Sequence, residues 1–417
     1  MTDKHITVDT IRWHSVLPCL HLLRIPQLAF RFRAIAVATL AVLVFGLGNS
    51  ALRELPFHGE KDSEALFPTL TDLSYAISKA FGRTEVIEGQ WLRSHDALQL
   101  RRDDDSPFLR RHQQASEWYS WPFETIYQPS KRLFEFRNSW SDVATAWTAL
   151  LWAALVWAVF GGALCRMMAV RFGRDESVSL RAALRFSLRN WQSYVYCPLL
   201  PMLGVGVFAL LAASVGGLER WLDVSNGIVL TFFGFVPILC AMVMAFLLAL
   251  TGLSWPLMTA AISTEGSDGF DGLSRAFGYV MNRFWFLLLM AWLTAFGISF
   301  FALTVVEYFF DAVVWLADWS VGPALQSDGG AVWLHVLNIV CLGVVVSLFW
   351  SATTVIYFLL RQSDDGTPLD QVYIPGPPPK AEPLPLVGVA ASQQPVIERP
   401  ATESVATGGS PVSPSGS

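Results

Sequence analysis

The segment from Val143 to Cys165 reads VATAWTALLWAALVWAVFGGALC, an apolar run that ends at Arg166. It contains no Asp, Glu, Lys or Arg. A helix needs about 20 such residues to cross the hydrocarbon layer, because every backbone amide there must be bonded within its own segment. The run therefore predicts a transmembrane helix.

Similar uncharged stretches recur along the chain, which is 53% hydrophobic and only 15% charged. They are Ala34 to Leu52, Trp191 to Leu218, Val224 to Thr264, Phe284 to Val306 and Gly329 to Leu360. We therefore expect an all-α integral membrane protein with about six transmembrane helices. The stretch at 224–264 exceeds one span, and proline disfavours helix at the residue before it. Its segment Gly252-Leu-Ser-Trp-Pro256 thus predicts one span followed by a short half-helix.

Arginines after the second span predict the orientation, since Lys and Arg in short loops stay cytoplasmic. They are Arg166, Arg171, Arg174, Arg181, Arg185 and Arg189. Both termini are then cytoplasmic, in the inner membrane of a bacterium. The N-terminal run is a poor signal peptide, because its leader is long and Gly-Leu-Gly-Asn-Ser-Ala is a weak cleavage site, so a retained anchor is favoured.

The resulting organisation has five parts. They are a cytoplasmic N-terminal segment (1–33), an anchor (34–52), an extracytoplasmic loop (53–142), a five-span membrane domain (143–361) and a disordered, Pro- and Ser-rich cytoplasmic tail (362–417). Within the loop, apolar faces at Leu70, Leu73 and Ile77, and at Leu133, Phe136 and Trp140, predict helices lying on the membrane surface.

The membrane domain contains a repeated unit of span, surface helix and span. In the first copy an apolar stripe of Leu180, Leu184, Leu188 and Trp191 runs beside Arg181, Arg185 and Arg189. The second copy has Phe270, Leu273, Phe277, Val280 and Phe284, with Ser267 or Asp268 as the helix cap. Both copies predict an amphipathic helix on the cytoplasmic side. The repeat is parallel, unlike the inverted repeats of many transporters.

The segment Pro256-Leu-Met-Thr-Ala-Ala-Ile-Ser-Thr-Glu265, with Gly272-Leu-Ser-Arg-Ala-Phe277 and Asn282-Arg-Phe-Trp285, resembles a superfamily of bacterial membrane proteins. It is similar to the YciC-type family and to the membrane domain of glycerophosphodiester phosphodiesterases. The resemblance implies that Pro256, Glu265, Leu273 and Arg275 are motif positions, in an architecture without an assigned reaction. Gly272 and Ala276 occupy the pattern's small and Ser positions.

Catalytic and metal-binding patterns are not found in the sequence. Five cysteines show neither a disulfide framework nor zinc spacing, and no phosphate loop, nucleophile elbow or zinc-protease motif occurs. Carboxylates with His, at His58 to Glu64 and Asp103 to His112, are typical of solvated surface. We expect no enzyme, metal or cofactor, and the net charge of -5 argues against nucleic acid.

The remaining candidate sites are charged. Arg181, Arg185 and Arg189 are candidate contacts for anionic lipid headgroups, although the same charges would also serve simply to fix orientation. Glu265 is expected to contact Arg275 or an arginine of the first repeat. Glu307 and Asp311, with His335, would form either a cation-attracting mouth or interfacial anchors.

These features favour a non-enzymatic membrane protein that organises lipid, a partner protein or its own oligomer. Two alternatives remain open. The first is a small-solute or lipid transporter with a groove between the repeats. The second is an extracytoplasmic binding module, formed by the loop at 53–142 and held by an inert anchor.

Overall fold

The structure, a computed structural model, describes residues 17–55, 66–80, 119–134, 139–221, 228–322, 325 and 327–374. These residues form helices and their connections, without a strand. In chain order the helices are α1 (Ile25–Ala29), α2 (Phe32–Arg53), α3 (Leu70–Ala80), α4 (Trp121–Leu133), α5 (Trp140–Arg174), α6 (Leu180–Arg189), α7 (Trp191–Trp221), α8 (Ile228–Phe233), α9 (Phe235–Glu265), α10 (Gly269–Asn282), α11 (Phe284–Val321) and α12 (Asp328–Asp365).

Six of these helices are long and apolar enough to cross a membrane: α2, α5, α7, α9, α11 and α12. The prediction of an all-α membrane protein with about six spans is confirmed. The long helices α5 and α11 each contain a π-helical stretch, at Trp157–Gly161 and Leu293–Ser299. A 3₁₀ helix at Pro18–Arg24 precedes α1.

The last span, α12, is the centre of the bundle. Every residue from Cys341 to Arg361 is buried, as expected for a helix that is apolar on all sides. Small residues allow its neighbours to approach closely. A Cβ added at Gly343 would lie 2.9 Å from the backbone of Thr39 in α2, and one added at Gly161 would lie 2.6 Å from the ring of Trp350.

The ends of the bundle differ in charge. At one end, Arg24 pairs with Asp175 at 3.1 Å, which brings the N-terminal segment to the end of α5. The last turns of α9 and α12 meet there too, through Glu265 and Arg361. We call this the basic end. At the opposite, distal end, Asn49 of α2 donates to the carbonyl oxygen of Pro68 at 2.9 Å.

Both predicted amphipathic helices, α6 and α10, are present at the basic end. Each follows a span that ends in a left-handed residue, Asp175 (φ 55°) after α5 and Gly266 (φ 66°) after α9. Each starts at a capping side chain: Ser179 accepts from the Ala182 amide, and Asp268 accepts from the Asp271 amide. Of the two predicted caps of α10, Ser267 and Asp268, the structure has Asp268.

The predicted half-helix at Pro256 is wrong. Helix α9 runs without interruption from Phe235 to Glu265, and the chain is broken earlier, between α8 and α9 at Gly234. Proline removes one backbone hydrogen bond, but a membrane helix tolerates it where neighbouring helices hold both flanks. Ser254, Trp255 and every residue from Leu257 to Thr264 are buried, so packing holds this helix straight through Pro256.

The prediction that the helices of the loop lie on the surface is also wrong for the described part. The amphipathic helix predicted at Leu70 is α3, but Leu73 and Ile77 are buried in the core against α12 and α2. Leu133 ends α4, which begins at Trp121 and packs along α5. Phe136 lies outside the described residues.

Helix α4 runs inside the membrane domain, antiparallel to α5. Its first residue, Trp121, contacts the rings of Phe45 and Trp157 at 5.6 and 5.9 Å, halfway along α5. Its last residue, Leu133, packs with Ala146 and Ala149, close to the start of α5. These contacts make α4 a re-entrant helix, which reaches mid-membrane and returns to the distal end.

Candidate functional site

Glu265, at the end of α9, is the centre of a charged cluster at the basic end. One carboxylate oxygen lies 2.8 Å from Nη1 of Arg275 in α10. The other accepts a hydrogen bond from the Tyr357 hydroxyl at 2.6 Å and lies 3.5 Å from Nη1 of Arg361, both in α12. We call these four residues the Glu265 cluster. The predicted contact of Glu265 with Arg275 is present, and the cluster ties α9, α10 and α12 together.

The charges in and around this cluster balance. Arg275 also pairs with Asp271 at 3.2 Å, so two carboxylates face two guanidinium groups. Burial lowers the pKa of Arg275, but Glu265 and Asp271 outweigh that effect and raise the pKa above its ordinary value. Arg361 is only 3% exposed, so its charge depends on the carboxylate of Glu265 and on carbonyl acceptors. This arrangement stabilises helix ends and leaves little charge free for a ligand.

A neighbouring hydrogen bond holds α10 to the last turn of α12. The hydroxyl of Tyr279 donates to Asp365. Burial, followed by Asp365 itself, raises the pKa of Tyr279 above its ordinary value, so the phenol stays a neutral donor. Arg283 and Asn282 both reach Asp364, the residue before it.

Residues 367–373, the C-terminal strap, lie across this end of the bundle. Arg361 donates to the carbonyl oxygens of Pro368 and Gln371, at 3.1 and 2.6 Å. The Tyr373 amide donates to the carbonyl oxygen of Thr264 at 2.9 Å. A pocket of about 450 Å³ lies between the strap and the Glu265 cluster.

Arg166, which the sequence places among the orienting arginines, is buried instead of exposed. It donates to the carbonyl oxygen of Ser263 at 2.9 Å and to that of Tyr373, and its guanidinium stacks over Phe186 of α6 at 4.7 Å. The hydroxyl of Ser263 hydrogen-bonds Tyr194 at 2.8 Å. Arg166 and Ser263, rather than an arginine of the first repeat on Glu265, therefore join the two repeats.

The three predicted lipid-contact residues, Arg181, Arg185 and Arg189, are all exposed on α6. No described carboxylate lies within ion-pair distance of them. Three members of the predicted apolar stripe are also turned away from the protein, with Leu180, Leu188 and Trp191 at 36, 55 and 41% exposure, whereas Leu184 is partly buried against the core.

A different face of α6 packs on the protein. It consists of the small residues Ala183 and Ser187, which are fully buried. The Ser187 hydroxyl donates to the carbonyl oxygen of Ala158 in the second span at 2.6 Å. Helix α6 therefore lies against a membrane span with Leu180, Leu188 and its arginines outward, as an interfacial helix does.

Both of the remaining motif positions lie within helices, Pro256 inside α9 and Leu273 on the buried face of α10. Leu273 is 8% exposed on the inner face of α10, beside Gly272 and Ala276. A Cβ added at Gly272 would lie 2.8 Å from Ile262, so the small residue permits close packing of α10 on α9. The pair of small residues four positions apart is the feature that α10 shares with α6.

Helices α11 and α12 carry the residues that were predicted to form a cation-attracting mouth or interfacial anchors, Glu307, Asp311 and His335. His335 Nδ1 hydrogen-bonds the Ser74 hydroxyl at 2.6 Å, which fixes α3 on α12. Glu307 and Asp311 are half-buried within α11, which continues to Val321, beyond the predicted end of the span. Trp315 and Trp319 on the same helix are 56 and 78% exposed.

The described part of the chain shows no site for a metal ion or for a reactive thiol. No group of three His, Cys, Asp or Glu side chains there is arranged to hold a metal ion. The carboxylates at 58–64 and 103–112 and the tail from residue 375 lie outside the described residues. All five cysteines are free, and four of them are buried.

Comparison with protein-family models, with curated proteins and with solved structures gave no match.

Proposed function

We propose that this protein is a non-enzymatic integral membrane protein that binds anionic lipid along α6 and so organises the lipid of one leaflet. The observation that carries the proposal is the outward face of α6, where three arginines without a carboxylate partner among the described residues lie beside the exposed Leu180 and Leu188. Each basic side chain near an anionic leaflet contributes about 1 kcal/mol, so three favour anionic lipid by roughly 3 kcal/mol.

The same arginines support one orientation of the protein in the membrane. With the basic end in the cytoplasm, both termini are cytoplasmic and α6 lies in the inner leaflet of a bacterial inner membrane. Inner leaflets that carry negative charge then provide the lipid that α6 requires. The resemblance to YciC-type proteins agrees with this location and stays a prediction.

Bonded hydroxyls along α12 favour this function over a transport route for small solutes, although the buried hydroxyls of Thr39 and Ser254 have no hydrogen-bond partner among the described residues. Around α12, the hydroxyls of Ser347, Ser351 and Thr354 donate to backbone carbonyl oxygens at 2.7 to 2.8 Å. A polar pathway needs groups free to bind its solute, and pumps place charged residues at mid-membrane. In the described spans, the buried arginines Arg166 and Arg361 bond backbone carbonyl oxygens near the basic end.

Thermal-shift titration in mild detergent tests the proposal. We expect phosphatidylglycerol to raise the melting temperature of the wild type more than phosphatidylcholine does. Replacing Arg181, Arg185 and Arg189 with Gln should remove that difference, whereas replacing all three with Lys should retain most of it. Equal stabilisation of the wild type and the triple Gln variant by phosphatidylglycerol would contradict lipid binding at α6.

A further inference from the structure

A cleft of about 400 Å³ lies between the re-entrant helix α4 and the spans α5, α7 and α9. Its walls are mostly aliphatic and aromatic, with Phe123 from α4, Leu150 from α5, Met202 from α7, and Leu248 and Trp255 from α9. A volume of this size is in the range that holds small ligands. No residue of α6 lines the cleft, and the cleft was not predicted from the sequence.

The wall of the cleft includes two aliphatic hydroxyl groups, but both are already hydrogen-bonded within their own helices. The hydroxyl of Ser130 donates to the Ile126 carbonyl oxygen and that of Thr251 to the Leu247 carbonyl oxygen, both at 2.7 Å within their own helices. Side chains at the rim remain open, since Tyr127 and Phe134 are 49 and 52% exposed. The cleft is therefore an apolar space within the spanning part of the bundle, where the surrounding solvent is hydrocarbon.

Among the described residues that line this cleft, Lys131 is the charged one. It is exposed on the last turn of α4, and no described carboxylate lies within ion-pair distance of it. By helical rise it lies about 12 Å along α4 from Phe123, toward the distal end. An ammonium group at a hydrocarbon boundary is costly unless it reaches the interface or an anion.

We propose that the cleft binds one acyl chain of an anionic phospholipid of the distal leaflet, with the headgroup phosphate paired to Lys131. The apolar wall excludes a polar solute, and the single cation at the distal end selects a negatively charged headgroup. This site goes beyond the lipid contact at α6, because its cation, Lys131, lies toward the distal end and its walls enclose an acyl chain, whereas α6 contacts the membrane surface.

Gly252 offers a way to fill the cleft without disturbing the fold. A Cβ at this position would lie 3.8 Å from the ring of Phe123, an ordinary contact, with the cleft beyond it. Leucine is also a better helix former than glycine, so the Gly252→Leu variant should remain folded. Gly206, exposed on α7 with nothing within 4 Å of its added Cβ, provides the matched control, Gly206→Leu.

The test uses the full chain in liposomes that contain phosphatidylglycerol with a photoreactive group in its acyl chain. After irradiation, labelled peptides are mapped by mass spectrometry. We expect labelling of wall segments in α4, α7 and α9, reduced at least fivefold in Gly252→Leu and unchanged in Gly206→Leu. Lys131→Gln should reduce labelling about fivefold for this probe and reduce labelling by a phosphatidylcholine probe less, because the choline ammonium already neutralises the phosphate of that lipid.

The outcomes separate this site from the one at α6. Cleft labelling that persists in the triple Gln variant of α6 supports an independent site. Equal cleft labelling of wild type and Gly252→Leu would overturn the proposal, as would equal phosphatidylglycerol labelling of wild type and Lys131→Gln. A melting temperature for each variant shows that the comparison is made on folded protein.

Discussion

The indole N–H of Trp157 donates to the hydroxyl of Thr125 at 2.7 Å, across 32 residues of sequence. Trp157 lies halfway along the second span, so the hydrogen bond places the first turns of α4 at mid-membrane. The connection between the first two spans therefore contributes to the membrane domain itself. It builds one wall of the acyl-chain cleft and closes the bundle around Phe45 and Trp350.

Thiol labelling should show that the first turns of α4 pack on the second span. In a Cys19→Ser background, Thr125→Cys should react slowly with a membrane-impermeant maleimide, because Thr125 is half-buried against Trp157. Trp140→Cys should react readily, since Trp140 is 91% exposed at the start of α5. Equal reaction at the two positions in intact proteoliposomes would place α4 on the surface and refute the re-entrant arrangement.

Glu265→Gln should lower the free energy of unfolding by about 1 to 3 kcal/mol, because it leaves the buried Arg361 without its carboxylate. Glu176→Gln is the matched control. Glu176 precedes α6 as Glu265 precedes α10, but Glu176 is exposed, at 3.5 Å from Arg174. Denaturant unfolding in detergent should show a loss for Glu265→Gln alone. Equal stability of both variants would mean that the Glu265 cluster does not hold the helix ends.

Gly266→Ala should destabilise the C-terminal strap. Gly266 has φ 66°, and a Cβ there would lie 2.4 Å from the ring of Tyr373. Gly366→Ala has the same φ with nothing within 4 Å, so it reports the backbone strain of about 1 kcal/mol alone. Limited proteolysis should cleave the strap faster in Gly266→Ala than in Gly366→Ala. Identical cleavage rates would show that Tyr373 does not pack on Gly266.

A fluorescent protein fused after residue 417 tests the orientation. If the basic end is cytoplasmic, the fusion should fluoresce, while alkaline phosphatase at the same position should be inactive. Both readouts follow from the positive charge at the ends of α5 and α10. An active phosphatase fusion would invert the topology and place α6 in the outer leaflet.

The spans, the two amphipathic helices and the cap at Asp268 were predictable, because each depends on local composition and periodicity. The cleft and the contacts of Glu265 with Tyr357 and Arg361 were not, since they depend on contacts between distant segments. Glu265 meets Tyr357 across 92 residues, and no pattern in either segment indicates that pairing.

Two errors have specific causes. Pro256 was taken to break the helix, although burial on neighbouring helices outweighs the loss of one hydrogen bond. Helix α4 was missed, yet Ser120 followed by Pro122 is a typical helix start, and Trp121 and Phe123 provide its apolar face.

The central claim, that this protein binds anionic lipid through α6, is tested most directly by native mass spectrometry of the protein purified from its membrane in mild detergent. We predict that phosphatidylglycerol or another anionic lipid stays bound to the wild type, and that the count of bound anionic lipids falls in the variant with Gln at Arg181, Arg185 and Arg189. A wild type that carries no lipid, or the same lipids in the same numbers as that variant, would contradict it.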